Sequence, residues 1–188
     1  LYGKLADIHG RRVTLLGGIV IFIVGSIACA LSSSIWLLVV SRFIQGLGGG
    51  GLIALAQTII GDMVPPKERG KYQVYIASVF FSSSLLGPVL GGVISEALHW
   101  SVIFWINLPL GLAAYWMTDK ALRRLPRHER PHRLDLLGAL LMTSATMTLL
   151  LALSWGGVLY PWFSAPILGL VLLSLALWLC FGWRLRIA

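Results

Sequence analysis

The chain has 188 residues, 57% of them hydrophobic and only 12% charged, about half the roughly 25% charge of an average soluble domain. With a mean hydropathy of +0.85, this composition argues against a soluble protein and places the chain in the membrane class. The net charge of +8 raises the question of an anionic partner, which its distribution along the chain answers.

The chain starts at Leu1 without Met. No charged segment precedes a short apolar one, so no signal peptide is read. Both ends are abrupt, and a piece of a longer protein is expected. A spanning helix needs about 20 mostly apolar residues. Six candidates follow in order, at 13–31, 35–60, 72–94, 102–117, 136–153 and 165–183. The second and third are long enough to tilt or project. Polar connectors separate them, including 32–34, 62–71 and the basic 122–133, where Pro65, Pro66, Pro126 and Pro131 fit loop positions. The fold class is all-α, a polytopic membrane helix bundle. Cys29 and Cys180 sit in different apolar runs and make neither a metal nor a disulfide pattern.

Lys and Arg are one-sided. Fourteen of the fifteen basic residues fall in the connectors before the first span and after the second, fourth and sixth; the opposite connectors hold none. The positive-inside rule makes the basic side cytoplasmic. This gives the charge a topological origin and weakens any nucleic-acid reading. Trp36, Trp100, Trp105, Trp155, Tyr160 and Trp162 near one face, and Tyr72, Trp116 and Trp183 near the other, suit the two interfaces.

Arg42 is the fifteenth basic residue. About seven residues into its span, it lies roughly 10 Å deep, where a charge is costly unless it faces partners or water. Arg42, Gly46, Gly50, Ala54 and Thr58 recur every fourth residue, so the arginine is expected to point into a bundle through a small-residue stripe. Gly46, Gly48 and Gly51 match G-x-G-x-x-G, but mid-span and without a preceding strand they are no nucleotide site. The third span carries Ser83, Gly87, Gly91 and Ser95 in one row, with Ser84, Pro88 and Gly92 beside it. Tight packing explains the glycines; Pro88 adds an expected kink or hinge.

Three stretches together resemble the major facilitator superfamily. Gly3-Lys-Leu-Ala-Asp7-Ile-His-Gly10-Arg11-Arg12 is similar to the cytoplasmic loop between the second and third family helices. Arg42-Phe-Ile-Gln45-Gly46-Leu-Gly48 resembles the fourth-helix motif, and Gly87-Pro88-Val-Leu-Gly91-Gly92 the fifth-helix motif associated with antiporters. The segment His99 to Gly111, and Asp135-Leu-Leu-Gly138, further resemble 14-spanner drug:proton antiporters of the EmrB/QacA type. Ser101, where Arg is usual, and Ser83, where a small residue such as Gly is usual, depart from the pattern.

The resemblance implies that residues 1–121 are part of the N-terminal transporter domain, from the end of helix two through helix six. Residues 122–134 are then a basic cytoplasmic loop, and 135–188 an extra helix pair, helices seven and eight. Helix one and the C-terminal half are expected to be missing. The implied activity is a segment of a proton-coupled multidrug efflux antiporter working by alternating access, exporting drug-like lipophilic or cationic compounds. It would lie in the inner (plasma) membrane, driven by the proton gradient without cofactor or metal. The competing readings are a non-transporting fragment or interaction module, and a facilitator of another substrate class. With His9, His99, His128 and His132 all peripheral, a membrane enzyme is disfavoured.

By resemblance, Gly3, Asp7, Gly10, Arg11 and Arg12 form a conformational latch, with Arg11 and Arg12 available to pair with Asp7 and the glycines allowing tight turns. A solvated loop acid is the plain alternative for Asp7. Arg42 resembles the residue implicated in proton transfer; because Arg does not give up its proton, it tunes a nearby acid, expected in the absent first helix. Gln45, Gly46 and Asn107 are candidate cavity residues, with interhelical hydrogen bonding the alternative for Gln45 and Asn107. Gly87, Pro88, Gly91 and Gly92 form the antiporter motif. Asp62, Glu68 and Arg69 are expected to make loop ion pairs.

Overall fold

A computed structural model describes residues 2–123 and 135–187. The described residues form nine helices, and the chain divides into two compact units, Leu1–His132 and Arg133–Ala188. Most of the expected basic connector lies outside the described residues.

The first unit opens with α1 (Tyr2–His9), α2 (Arg11–Ala30), α3 (Ile35–Gly49) and α4 (Leu52–Met63). The stretch expected as a loop is thus largely helical. Gly3 lies within α1, and the tight turn falls on Gly10 alone, at φ 87° and ψ 143°, a backbone that favours glycine. Ser34 begins α3 by accepting from the Leu37 amide at 3.2 Å, satisfying one of the orphan donors of a helix start. α4 stops before Pro65, which pushes Val64 to extended backbone at φ −111° and ψ 128°. Arg69 then donates to the Val64 and Gly61 carbonyls at 3.0 and 2.5 Å, closing the end of α4.

In lipid no hydrophobic force drives helices together, so close approach through small residues decides packing. α2 is the centre of the unit. A Cβ at Gly25 would lie 2.5 Å from the backbone of Gln45 on α3, and one at Gly48 would fall on the Phe22 backbone. The buried face of α3 and α4 carries Ser41, Gln45, Gly48, Leu55 and Ile59. The stripe Arg42, Gly46, Gly50, Ala54 and Thr58 is exposed instead. It is offset by about 100°, one residue of helix, from the face that meets α2.

Among the described residues, five segments are long and apolar enough to cross a membrane: Arg11–Ala30, Ile35–Met63, Arg69–Ala97, Leu136–Trp155 and Ala165–Arg186. The second span of the sequence reading is interrupted at Gly50 and Gly51, successive glycines between α3 and α4, a weak point in any helix. The fourth is split into α6 (Val102–Trp105) and α7 (Asn107–Leu122). Pro109 is the cause, because it offers no N–H to the Trp105 carbonyl and its ring crowds that group. The 29-residue α5 (Arg69–Ala97), by contrast, runs uninterrupted through Pro88 and buries none of its residues.

The second unit is a hairpin of α8 (Leu136–Trp155) and α9 (Ala165–Ile187). Gly138, Ala145 and Ala152 are buried on α8 and Ile167 and Ser174 on α9, each seven residues from the next. A seven-residue repeat is the seam of left-handed helix packing. Ser174 donates to the Ala145 carbonyl at 2.8 Å across the seam. At one end Asp135 caps α8 by accepting from the Gly138 amide at 2.9 Å and pairs with Arg184 at 3.4 Å. At the other, the Gly157 amide donates to the Tyr160 carbonyl at 2.8 Å, and the Trp162 ring lies against Gly156 and Gly157.

Candidate functional site

Arg42 gathers a polar cluster from three helices. Its Nη1 donates to Gln45 Oε1 at 2.9 Å, one turn along α3. Gln45 Nε2 donates to Ser26 Oγ on α2 at 2.7 Å, and Ser26 donates to the Phe22 carbonyl at 2.8 Å. The guanidinium sits over the Phe104 ring of α6, 4.5 Å from its centre. Ser26, Gln45 and Phe104 are 0%, 5% and 5% exposed. The close approach at Gly25 places Ser26 within reach of Gln45. Uncompensated burial of an amide is costly, and both ends of Gln45 are satisfied here. Chemically the cluster holds a permanent positive charge in one place, with one ring face and one N–H occupied.

A second cluster ties helix ends together. Arg11 pairs with Asp62 at the end of α4 and donates to the Thr58 carbonyl at 3.4 Å. Arg12 pairs with Asp119 near the end of α7, its Nε donating at 3.1 Å, and Arg123 donates to the same carboxylate at 2.8 Å. The hydrogen bonds from Arg12 and then Arg123 hold the Asp119 carboxyl below the usual carboxylate value. The expected pairing of Arg11 and Arg12 with Asp7 is therefore corrected: both arginines reach neighbouring helix ends. Asp7 lies across the Gly10 turn on α1 and makes no ion pair among the described residues. Of the expected loop pairs, Asp62 binds Arg11, while Arg69 binds carbonyls.

Among the expected cavity residues, Arg42 and Gln45 are brought together, whereas Gly46 faces outward with nothing within 4 Å of a Cβ built there. Asn107 opens α7, half-buried. Gly87, Gly91 and Gly92 also have open space around them, so the small face of α5 meets no neighbour among the described residues. Ser26, Phe104 and Asp119 are the residues sequence reasoning passed over. Each lies in or beside an apolar run with no periodic signal, and only tertiary packing brings Ser26 to Gln45, Phe104 to Arg42 and Asp119 to Arg12.

A match to the Major Facilitator Superfamily extends over residues 1–183. The chain is 41% identical over 170 residues to an uncharacterized MFS-type transporter of Mycobacterium tuberculosis, covering 90% of this chain and 25% of that protein. It is 36% identical over 181 residues to Multidrug resistance protein 3 of Bacillus subtilis, covering 96% of this chain and 35% of the relative. With Multidrug transporter protein MdtP of Bacillus subtilis it shares 38% identity over 173 residues, 92% of this chain and 32% of the relative. The chain thus spans between a quarter and about a third of the length of these relatives. The family match over nearly the whole chain, on helices of membrane-spanning length and composition, makes this chain part of an integral membrane protein of the Major Facilitator Superfamily, a family of transporters and not of enzymes.

Proposed function

We propose that this chain is a segment of a proton-coupled antiporter that exports drug-like lipophilic or cationic compounds by alternating access. The observation that carries the reading is the Arg42 cluster, a fixed positive charge at membrane depth held by Gln45 and Phe104, in a chain similar to proteins named for multidrug resistance and multidrug transport. A permanent charge beside a carboxylate lowers its pKa and sets the pH at which it loads and releases a proton. Such an acid, the second wall of the cavity and the small-molecule substrate would come from outside this segment.

The ends of α2, α4 and α7 joined by Arg11–Asp62 and Arg12–Asp119 form the cytoplasmic face in this reading, with the protein in the plasma membrane. Asp7, not engaged by those arginines, is the acid placed to meet the other half of a transporter as it rocks. Gly87, Pro88, Gly91 and Gly92 offer it a close-approach face. No cofactor or metal is required, since the proton gradient supplies the energy.

The test uses a full-length transporter carrying this segment, reconstituted in vesicles with an imposed pH gradient. Export should collapse with the gradient. Arg42→Ala should abolish proton-driven transport while substrate still binds, and Asp7→Asn should reduce transport at equal protein level. Undiminished export after the gradient is dissipated would refute proton coupling, and unchanged export by the Asp7 variant would remove the latch.

A further inference from the structure

We propose that Phe104 is a positioning residue for Arg42: its ring face, together with the Ser26–Gln45 hydrogen bonds, holds the guanidinium in the one place where it sets the pH response of transport. The proposal rests on the proton-coupled reading above and extends it to side chains on two other helices.

Arg42 is on the exposed side of α3, and the α3 side chain that bonds its guanidinium is Gln45. Left to itself, an arginine at this depth extends along the helix toward the membrane surface, burying its stem and leading its charge to water. Two contacts prevent that. Gln45 accepts from Nη1 at 2.9 Å, and its own amide is locked by the bond to Ser26 at 2.7 Å. The direction of the amide is settled by the chemistry: the oxygen must face the arginine, which only donates, and the nitrogen must face the serine. The Phe104 ring then lies against the guanidinium 4.5 Å away, where the negative face of the ring attracts a cation.

Phe104 is itself closely packed. It is buried on the four-residue α6, which ends at the break made by Pro109. It also packs edge-on against Trp100, with ring centres 6.0 Å apart. Ile106, between α6 and α7, keeps helical backbone at φ −60° and ψ −31°, so Phe104 is presented to Arg42 from the first turn of a nearly continuous helix. Of the elements packed on the cluster, α2 contributes Cys29, within electrostatic range of Arg42, and α6 carries no titratable side chain. The charge held by Phe104 is therefore not neutralised by an acid among the described residues around it. It is available to an acid arriving from elsewhere in the transporter.

The experiment measures the pH profile of transport by the full-length protein in vesicles, at matched protein level and with thermal unfolding in detergent as the folding control. Phe104→Leu removes the ring and lets Arg42 swing outward. The coupled acid loses its positive neighbour, its pKa rises, and the midpoint of the profile should move up by about 0.5 pH unit. Phe104→Tyr keeps the ring and should keep the native midpoint. Ser26→Ala frees Gln45 and should move the midpoint in the same direction by less. Replacing Phe104 with a fluorinated phenylalanine keeps the shape and weakens the ring's negative face, and should reproduce part of the Leu shift. A native midpoint in both the Leu and the fluorinated forms overturns the proposal. So does an equal shift in the Leu and Tyr forms, which would make Phe104 a packing residue. Failure of the underlying reading looks different: Arg42→Gln itself would then leave the profile unchanged.

Discussion

At the scale of single residues, the molecule depends on where glycine is irreplaceable, and frequency in the sequence is a poor guide to that. The chain has 21 glycines, and the regular four-residue rows through Gly46 and through Gly87 and Gly91 are the conspicuous ones. Yet these have open space about them, while Gly25 and Gly48, in no such row together, bring the backbones of α2 and α3 into contact. Gly25→Ala should destabilise the chain by about 1–3 kcal/mol, since backbone cannot yield as a side-chain tip can. Gly46→Ala should be neutral or slightly stabilising in the same thermal-unfolding measurement, because alanine favours helix. Equal unfolding temperatures for the two variants would contradict the assigned interface. The two helices were legible in the sequence from their apolar length; the face by which they meet was not, because α3 is apolar nearly all round and presents several small stripes at once.

At the scale of elements, α8 and α9 show how packing is set when every face is apolar. Neither helix has an amphipathic pattern to read, so the sequence gives their length and no orientation. The register comes from a few contacts: Asp135 to Arg184 at one end and Ala145 to Ser174 in the middle. These place Ala152 level with Ile167, and Gly138 level with Phe181, small against large. Ala145→Leu should therefore force the pair apart at a cost of about 1–3 kcal/mol. Ser174→Ala should cost only about 0.6 kcal/mol, the typical worth of a hydrogen bond between helices in a membrane. Unfolding followed by tryptophan fluorescence distinguishes the two, and a larger loss for Ser174→Ala would show that the hydrogen bond, not the small seam, sets the pairing. Prolines were likewise legible as residues and not as outcomes. Pro109 divides a span while Pro88 is carried inside a continuous α5; Pro109 lies close to the start of a helix, where a break needs little rearrangement.

At the scale of the whole molecule, the one-sided distribution of charge was the most legible feature, and the structure gives it a second use. Arg11, Arg12 and Arg123 are basic residues of inner connectors in the topological count, and they also bind Asp62 and Asp119. Pairing across 107 residues of chain cannot be read from local sequence. It has a consequence in acid. Because the Asp119 carboxyl titrates lower in the folded chain than its ordinary value, it adds stability above the unfolded pKa of about 3.9, and that stability is lost as pH falls through the lower, folded value. Thermal stability should fall on acidification below about pH 4. Asp119→Asn should start lower at neutral pH and lose less on acidification, and an identical acid response in the variant would remove Asp119 as the source. The α8–α9 hairpin carries a different implication. Its seam is bridged by Ser174 and Ala145, its turn is closed by Gly157 and Tyr160, and its charged end pairs Asp135 with Arg184, all within its own stretch of chain. Such a pair carries the instructions for its own register in one contiguous stretch of sequence, so the two helices can find each other without waiting for the rest of the chain.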